Sequence, residues 1–248
     1  MTTGERPPVQ VEPNQAPRRP PGPTGDPLDS ADFRSKRRHI PIAREGLPYI
    51  LASAFTTLVL AQLGYALLAL PALVVSLLIL HFFRDPLRWS NAGADDVISP
   101  ADGVVIRVEE TREEVFTLSP CRKISIFMSV FDVHVNRAPV SGTVQGIQYR
   151  KGRYHSAHKD QAGRNNEQNR IWIKRQDGRS AVVTQVAGLI ARRIVCWPAV
   201  GDTLIQGERF GMIRFGSRLD VYLPGASEVL VKKGERVFAG ESILCRLK

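Results

Sequence analysis

Cysteine is scarce in this chain of 248 residues. Cys121, Cys196 and Cys245 have no CxxC spacing and lie in apolar contexts, so we predict reduced packing residues in a reducing compartment. The motifs GxGxxG, GxxxxGK(S/T), GxSxG and HExxH are all absent. Their absence argues against dinucleotide-binding proteins, P-loop proteins, α/β-hydrolases and zinc proteases.

Charged side chains are absent from Leu47 to Phe83. This apolar run is too long for an ordinary core helix, and it begins too late to be a signal peptide. A spanning helix needs about twenty apolar residues, so the run predicts either a hairpin of two short helices or a single tilted span. Gly64 and Pro71 favour a break and therefore the hairpin. Basic residues on both flanks favour two cytoplasmic ends, and the sequence leaves open whether the hairpin spans or re-enters the membrane.

Large apolar side chains are also scarce at the N-terminus. Residues 1–30 contain eight of the seventeen prolines, and such a composition cannot offset the entropy cost of ordering the chain. We therefore predict a disordered proline-rich tail with a basic cluster at residues 1–46, a membrane-associated helical hairpin at residues 47–83, and a folded domain at residues 84–248.

Positive charge is in excess. The formal net charge is +10 at pH 7, and most of the excess lies in residues 84–248. Such a balance suits nucleic acid, an anionic membrane or an anionic substrate, and the apolar run favours the membrane. Because the aromatic-basic interleaving of a single-strand groove is absent, we expect no nucleic-acid partner.

Beyond residue 95 the chain has short apolar runs rich in β-branched residues, separated by Gly, Pro and Asp. This pattern predicts a mainly β fold. Several segments share a polar turn with Gly followed by alternating Val and Ile, which is typical of hammerhead or barrel-sandwich-like domains such as biotinyl and lipoyl modules.

Polar residues that could carry chemistry interrupt two of these apolar runs. In "FMSVFDVHVNRAPVSG", Asp132, His134 and Asn136 follow at two-residue intervals, which on a strand places them on one face. The alternative is a buried histidine satisfied by a neighbour. Asp102 lies in "SPADG", which also reads as an ordinary turn.

No metal site is predicted from the remaining histidines. His155 and His158 lie in a long polar segment, Tyr149–Arg170, without a carboxylate or cysteine partner at ligand spacing. A polar segment of this length between strands is typical of a lid or binding loop.

A Gly-Ser pair interrupts the strand pattern in "RFGSRLDVYLP". One interpretation is a simple hairpin turn. The other is self-cleavage, because a serine after glycine can attack the preceding carbonyl carbon without obstruction by a Cβ atom. The resulting ester, after β-elimination and hydrolysis, leaves a pyruvoyl group. The reaction needs a base and donors for the oxyanion, and His134 and Asp102 are the available candidates.

Several segments in order resemble one family: "HFFRDPLR", "VISPADG", "FMSVFDVHVNRAPVSG", "GRNNEQNRI", "QVAGLIARRIVCW" and "GERFGMIRFGSRLDVYLP". From about Leu47 to Lys248 the chain resembles the phosphatidylserine decarboxylase proenzymes in their short membrane-associated form. The resemblance implies self-cleavage between Gly216 and Ser217 into a β chain of residues 1–216 and an α chain of residues 217–248. It also implies a pyruvoyl group derived from Ser217, with no external cofactor, and a carboxy-lyase that converts phosphatidylserine to phosphatidylethanolamine.

The resemblance also implies site residues. Longer members of the family use an Asp-His-Ser set for self-cleavage, and Asp102 and Ser217 match its aspartate and serine. His134 matches the first of two histidines, whereas Arg137 stands at the position of the second, the processing base. Either His134 is the base for processing in this chain, or another group is and His134 acts in decarboxylation; we favour the former. Substrate-binding residues are not assigned.

The expected location is the cell membrane, with the catalytic domain on the cytoplasmic side. The expected partners are phosphatidylserine, an anionic membrane and the chain's own two fragments, and a homo-oligomer is compatible with the sequence. Two other functions stay open: a membrane-tethered carrier domain of the biotinyl type, which lacks its Met-Lys-Met target here, and a pyruvoyl decarboxylase of a small soluble amino acid.

Overall fold

The described part of the chain folds mainly as β-structure, as predicted. A computed structural model describes residues 41–152, 165–188, 193–214 and 217–248, and these residues belong to one compact unit. The predicted tail therefore lies almost wholly outside the described residues, as does the segment with His155 and His158. The three domain boundaries stay predictions.

The apolar run forms two helices joined by a tight turn. Helix α1 (Leu47–Gln62) and helix α2 (Ala66–Phe82) contact each other, and the hydroxyls of Thr57 and Ser76 lie 3.0 Å apart between them. The break occurs at Gly64, whose φ of 77° suits a residue without a Cβ atom. Pro71 lies inside α2 and does not end it. Among the described residues, neither helix combines the length and the apolar character needed to cross a membrane.

The two ends of the helical hairpin meet. A 3-10 turn (Arg44–Gly46) precedes α1, and Ala43 N donates to Phe83 O at 2.8 Å. Tyr49 stacks on Phe83 with ring centroids 5.7 Å apart. Gly46 is required here, because a Cβ atom would lie 2.3 Å from the Phe83 ring. The helical hairpin therefore starts and finishes at the same edge of the β-domain.

The strands of the β-domain are short. They are β1 (Asp96–Ile98), β2 (Gly103–Arg112), β3 (Pro120–Met128), β4 (Val135–Arg137), β5 (Gly142–Arg150), β6 (Gln168–Lys174), β7 (Ser180–Val186), β8 (Ile194–Cys196), β9 (Thr203–Leu204), β10 (Arg209–Ile213), β11 (Ser217–Pro224), β12 (Glu228–Val229), β13 (Arg236–Val237) and β14 (Ile243–Arg246). The largest sheet is curled and has the order β13-β2-β3-β11-β7-β6-β5-β9. Two three-stranded sheets, β1-β14-β12 and β4-β10-β8, complete the domain.

Strand β11 shows why the large sheet has a buried face. Leu219, Val221 and Leu223 alternate along it and join the main hydrophobic core, as a period of two requires. Ser217 begins this strand on the same face and pairs with Met128 of β3. The first residue of the predicted α chain is thus inside the core and not in an exposed hairpin turn.

The predicted strand through His134 is interrupted. After Met128 the chain turns, because Asp132 Oδ2 accepts hydrogen bonds from Ser129 N at 2.7 Å and Ser129 Oγ at 2.8 Å. Only Val135–Arg137 then forms β4. Hydrogen bonds from side chain to backbone replace the hydrogen bonds of a β-strand here. The prediction that Asp132 and His134 share one face of a strand is therefore wrong.

Candidate active site

Ser217 is fully buried at the start of β11. Its Oγ lies 3.4 Å from Met128 Sδ, the acceptor of its hydroxyl hydrogen. A thioether is a weak acceptor that cannot take a proton, so this contact holds the hydroxyl without activating it. Gly216, the other residue of the predicted cleavage site, lies outside the described residues.

His134 is a buried histidine in its neutral form. Its Nδ1 lies 2.9 Å from the backbone oxygen of Asp132, and because a carbonyl only accepts, the proton is on Nδ1 and the lone pair is on Nε2. Nε2 is buried and has no hydrogen-bond partner among the described residues. Burial lowers the pKa of His134 to about 4, so the ring is an unprotonated base at neutral pH.

The helical hairpin supplies one wall of the His134 site. The ring of Phe82, the last residue of α2, lies 4.2 Å from the His134 ring between centroids. Val133 and Val135 belong to the same hydrophobic cluster as Phe82 and Phe83. The environment that lowers the histidine pKa is therefore built partly from the apolar segment and partly from the β-domain.

Asp102 is buried beside an arginine. Arg88 Nη2 donates to its Oδ2 at 2.9 Å, and Ala239 N donates to its Oδ1 at 2.7 Å. Burial raises the pKa of Asp102 above its ordinary value, although the bond from Ala239 and the charge of Arg88 oppose this. Both carboxylate oxygen atoms thus accept hydrogen bonds, and the sequence alone predicted neither Arg88 nor Ala239 as a partner.

The structure places the three predicted residues around one end of the large sheet but does not join them. Asp102 precedes β2 and Ser217 begins β11, and β3 lies between these strands. Since adjacent strands lie about 4.8 Å apart, the start of β2 and the start of β11 are separated by about 10 Å. Within the described residues, no hydrogen bond connects the side chains of Asp102, His134 and Ser217. Their catalytic roles stay predictions.

Arg137 is a buried cation that binds backbone and carboxylate oxygen atoms. Its Nη2 donates to Pro86 O at 2.9 Å and to Asp85 Oδ1 at 3.2 Å, while Nη1 donates to Gly207 O at 3.1 Å. Burial lowers its pKa to about 10, so it remains a cation and cannot serve as the base at neutral pH.

The segment after the helices contains polar residues whose contacts were not predicted. Arg84 Nη2 donates to Phe131 O at 2.7 Å, across the turn that leads to His134. Asp85 accepts from Arg137 and also pairs with Arg209. The signal in the sequence is the motif "HFFRDPLR" itself, where charged residues return directly after the long apolar run. These residues join the helical hairpin to the β-domain.

No group of three or more histidine, cysteine or acidic side chains suited to a metal ion occurs in the part of the chain that the structure describes. The geometry instead offers a buried serine and a neutral buried imidazole. These are the groups that a self-cleaving serine requires.

Comparison with known proteins identifies the family. The profile of the family described as "Phosphatidylserine decarboxylase" matches residues 75–245. A "Phosphatidylserine decarboxylase proenzyme" of Syntrophus aciditrophicus is 49% identical over 204 residues, which cover 82% of this chain and 96% of the relative. A protein of the same name from Geotalea uraniireducens is 48% identical, and the match covers 84% of this chain and 98% of the relative. Another from Ralstonia nicotianae is 46% identical, and the match covers 84% of this chain and 97% of the relative. The chain therefore belongs to the phosphatidylserine decarboxylase family.

Proposed function

We propose that this protein decarboxylates phosphatidylserine to phosphatidylethanolamine, after it cuts itself between Gly216 and Ser217 and converts Ser217 to a pyruvoyl group. The observation that carries the proposal is the family match, since the relatives are named as proenzymes of this decarboxylase. A non-catalytic carrier of the biotinyl type is not favoured by that match.

The self-cleavage begins with proton transfer from Ser217. His134 Nε2 takes the hydroxyl proton while the Oγ atom forms a bond to the carbonyl carbon of residue 216. The C–N bond then breaks, and the nitrogen leaves with that proton, which gives an ester. Nε2 is buried and has no partner in the part of the chain that the structure describes. This supports the assignment, because a base needs a free lone pair within the site.

Elimination completes the conversion. A base removes the Cα proton of Ser217, and the carboxylate of residue 216 leaves with the Oγ atom. The resulting dehydroalanine becomes an imine as a proton moves from its nitrogen to its Cβ atom. Water then hydrolyses this imine with release of ammonia, and a ketone remains at residue 217. The surroundings fit this product, because the former Cβ atom becomes a methyl group, and Met128 and the hydrophobic core already enclose that position.

Once formed, a pyruvoyl group at residue 217 would supply an electron sink for the electrons released as carbon dioxide leaves the serine headgroup of the lipid. The chain's own residues hold and shield this chemistry. His134 remains available to carry a proton, Arg88 holds the Asp102 carboxyl group by a direct hydrogen bond, and Ser217 is buried at the start of β11.

The helical hairpin is proposed to hold the enzyme on the cytoplasmic face of the cell membrane. Most large side chains of α1 and α2 are exposed and apolar, and Leu67 is 89% exposed. Trp89, 81% exposed, follows the helices, as expected of an aromatic anchor at a bilayer interface. An anionic leaflet would attract the positive charge of residues 84–248, and a lipid with two acyl chains could then reach the site from the bilayer.

The test is a comparison of Ser217→Ala with the exposed control Ser90→Ala. We expect intact mass to show fragments of residues 1–216 and 217–248 for the wild type and for Ser90→Ala, with the small fragment resistant to Edman degradation. Ser217→Ala should remain one chain and should form no phosphatidylethanolamine from phosphatidylserine in mixed micelles. An uncut, active wild-type chain would refute the proposal.

A further inference from the structure

Three buried side-chain amides form a continuous chain that ends beside Ser217. Asn169 Nδ2 donates to Gln185 Oε1 at 3.1 Å, and Gln185 Nε2 donates to Asn136 Oδ1 at 2.9 Å. None of the three residues is more than 3% exposed. A buried polar network of this kind is costly unless its members are satisfied, so its presence in the core calls for a physical reason.

Gln185, the middle residue, fixes which way the three amide groups are oriented. Gln185 Nε2 also donates to the backbone oxygen of Val195 at 3.3 Å. Because a carbonyl oxygen only accepts, the NH₂ group of Gln185 must face it, and the oxygen of Gln185 must face Asn169. The same constraint turns the oxygen of Asn136 towards Gln185. Asn136 is therefore forced to present its NH₂ group at the far end.

The far end of the amide chain is the Ser217 site. Asn136 Nδ2 lies 3.9 Å from Met128 Sδ, the same sulfur atom that accepts from Ser217 Oγ at 3.4 Å. Within the described residues, this weak sulfur acceptor is the only hydrogen-bond partner of Asn136 Nδ2. An amide donor with unused capacity is thus held next to the reacting serine.

Strand register and one glycine make the arrangement possible. Asn169 and Gln185 are directly opposite each other in the β6–β7 pair, whereas Asn136 belongs to the smaller sheet, opposite Gly211. A Cβ atom at Gly211 would lie 2.2 Å from Val195 O and 3.0 Å from Gln185 Nε2. Gly211 therefore leaves the space in which Gln185 bridges the two sheets.

We propose that the side-chain amide of Asn136 is the donor that stabilises the negative oxygen formed when Ser217 attacks the carbonyl of residue 216, and that Gln185 and Asn169 are positioning residues for it. The inference rests on the proposed function. In that step the Oγ–C bond forms, the hydroxyl proton goes to the base, and the carbonyl π electrons move to the oxygen. A neutral amide suits this task because it donates without competing for the proton.

The competing explanation is that the amide chain only joins the two sheets. The two explanations differ in what Asn136→Asp should do, because this change keeps the shape but removes the N–H donors. If Asn136 is the donor, the self-cleavage rate falls by about 100- to 1000-fold, the usual loss for one oxyanion donor. The near-isosteric Gln185→Met removes the partner that orients Asn136, together with the bonds of Gln185 to Asn169 and to the Val195 carbonyl. It should slow cleavage by about 10- to 100-fold.

The experiment follows cleavage of the freshly translated full-length chain with time, by the appearance of the 217–248 fragment. Asn91→Asp, an exposed change of the same kind, should cleave at the wild-type rate. A wild-type chain that never cleaves would overturn the proposed function and this inference with it. If the wild type cleaves and Asn136→Asp cleaves equally fast, only the inference is overturned.

A pH series separates the donor role from loss of folding. Burial should raise the pKa of an aspartate introduced at position 136. Among the described residues, the side-chain hydrogen-bond partners of Asn136 are Gln185 and Met128, which carry no charge. The protonated carboxyl group regains an O–H donor, so the rate of Asn136→Asp relative to the wild type should rise as the pH falls from about 8 to about 5.5. A constant ratio, or a loss of rate that follows a lower unfolding temperature, would assign Asn136 a purely structural role and refute the inference.

Discussion

His134 is a titratable group that the fold keeps neutral at a cost in acid stability. Its folded-state pKa of about 4 lies below the ordinary value of about 6.5. Between these two values the unfolded chain binds a proton that the folded chain does not bind. The free energy of unfolding is therefore unaffected by this titration above the pKa of the unfolded chain. It decreases as the pH falls from that value towards the pKa of His134 in the folded chain.

This titration can be isolated by comparing His134 with His134→Gln, both in uncut Ser217→Ala chains. Between pH 7 and pH 5 the His134 chain should lose about 2 kcal/mol more of its free energy of unfolding than the His134→Gln chain. Urea unfolding at the two pH values measures the difference. Parallel losses in both chains would show that the imidazole is not held neutral by the fold.

Arg137 is expected to matter for stability and not for proton transfer. Arg137→Ala leaves Asp85 buried with one cation fewer and should lower the free energy of unfolding by about 3 kcal/mol, as for other broken buried pairs. Arg122→Ala, which removes an exposed pair with Glu110, should cost less than about 1 kcal/mol. Arg137→Ala chains that fold should still cleave at Ser217. Complete loss of cleavage in folded chains would instead indicate that Arg137 is the base.

At the scale of elements, the alternating pattern in "RFGSRLDVYLP" was sufficient to predict a strand, and Ser217 lies at the start of β11. The strand predicted through His134 was wrong, because the bonds between Ser129 and Asp132 favour a turn. Local propensity could not reveal the Asn136–Gln185 contact, since it depends on the registers of two separate sheets. The sequence could therefore indicate Ser217 as a candidate, but it could not indicate the amide groups that surround it.

The joint between the helical hairpin and the β-domain depends on one glycine. Gly46→Ala would bring a methyl group 2.3 Å from the Phe83 ring, and such overpacking typically costs about 1–3 kcal/mol. Gly93→Ala is the matched control, because its Cβ atom would meet only Asp96 Oδ2 at 3.5 Å. We expect urea unfolding of Ser217→Ala chains to detect the loss in the first variant only. Equal stability of both variants would show that the joint adapts without cost.

At the scale of the whole molecule, both ends of the apolar hairpin contact the β-domain. Phe82 ends α2 and lies against His134, and Arg214 donates to Tyr49 of α1 at 2.9 Å. The apolar segment therefore also contributes to the surroundings of the candidate site. Composition predicted the apolar segment, but only the fold shows where its ends contact the β-domain.

Membrane binding should depend on the exposed face of α2 without affecting cleavage. Leu67 and Leu70 are 89% and 63% exposed, and an aspartate within a bilayer costs about 2.5–3.5 kcal/mol. Leu67→Asp with Leu70→Asp should therefore lower partitioning into vesicles of phosphatidylserine and phosphatidylcholine at least tenfold, as measured by flotation after reconstitution from detergent. Leu118→Asp, at an exposed site of the β-domain, should float like the wild type. Unchanged flotation of the double variant would refute the assigned role of the hairpin, and unchanged cleavage at Ser217 in all three chains would show that the β-domain remained folded.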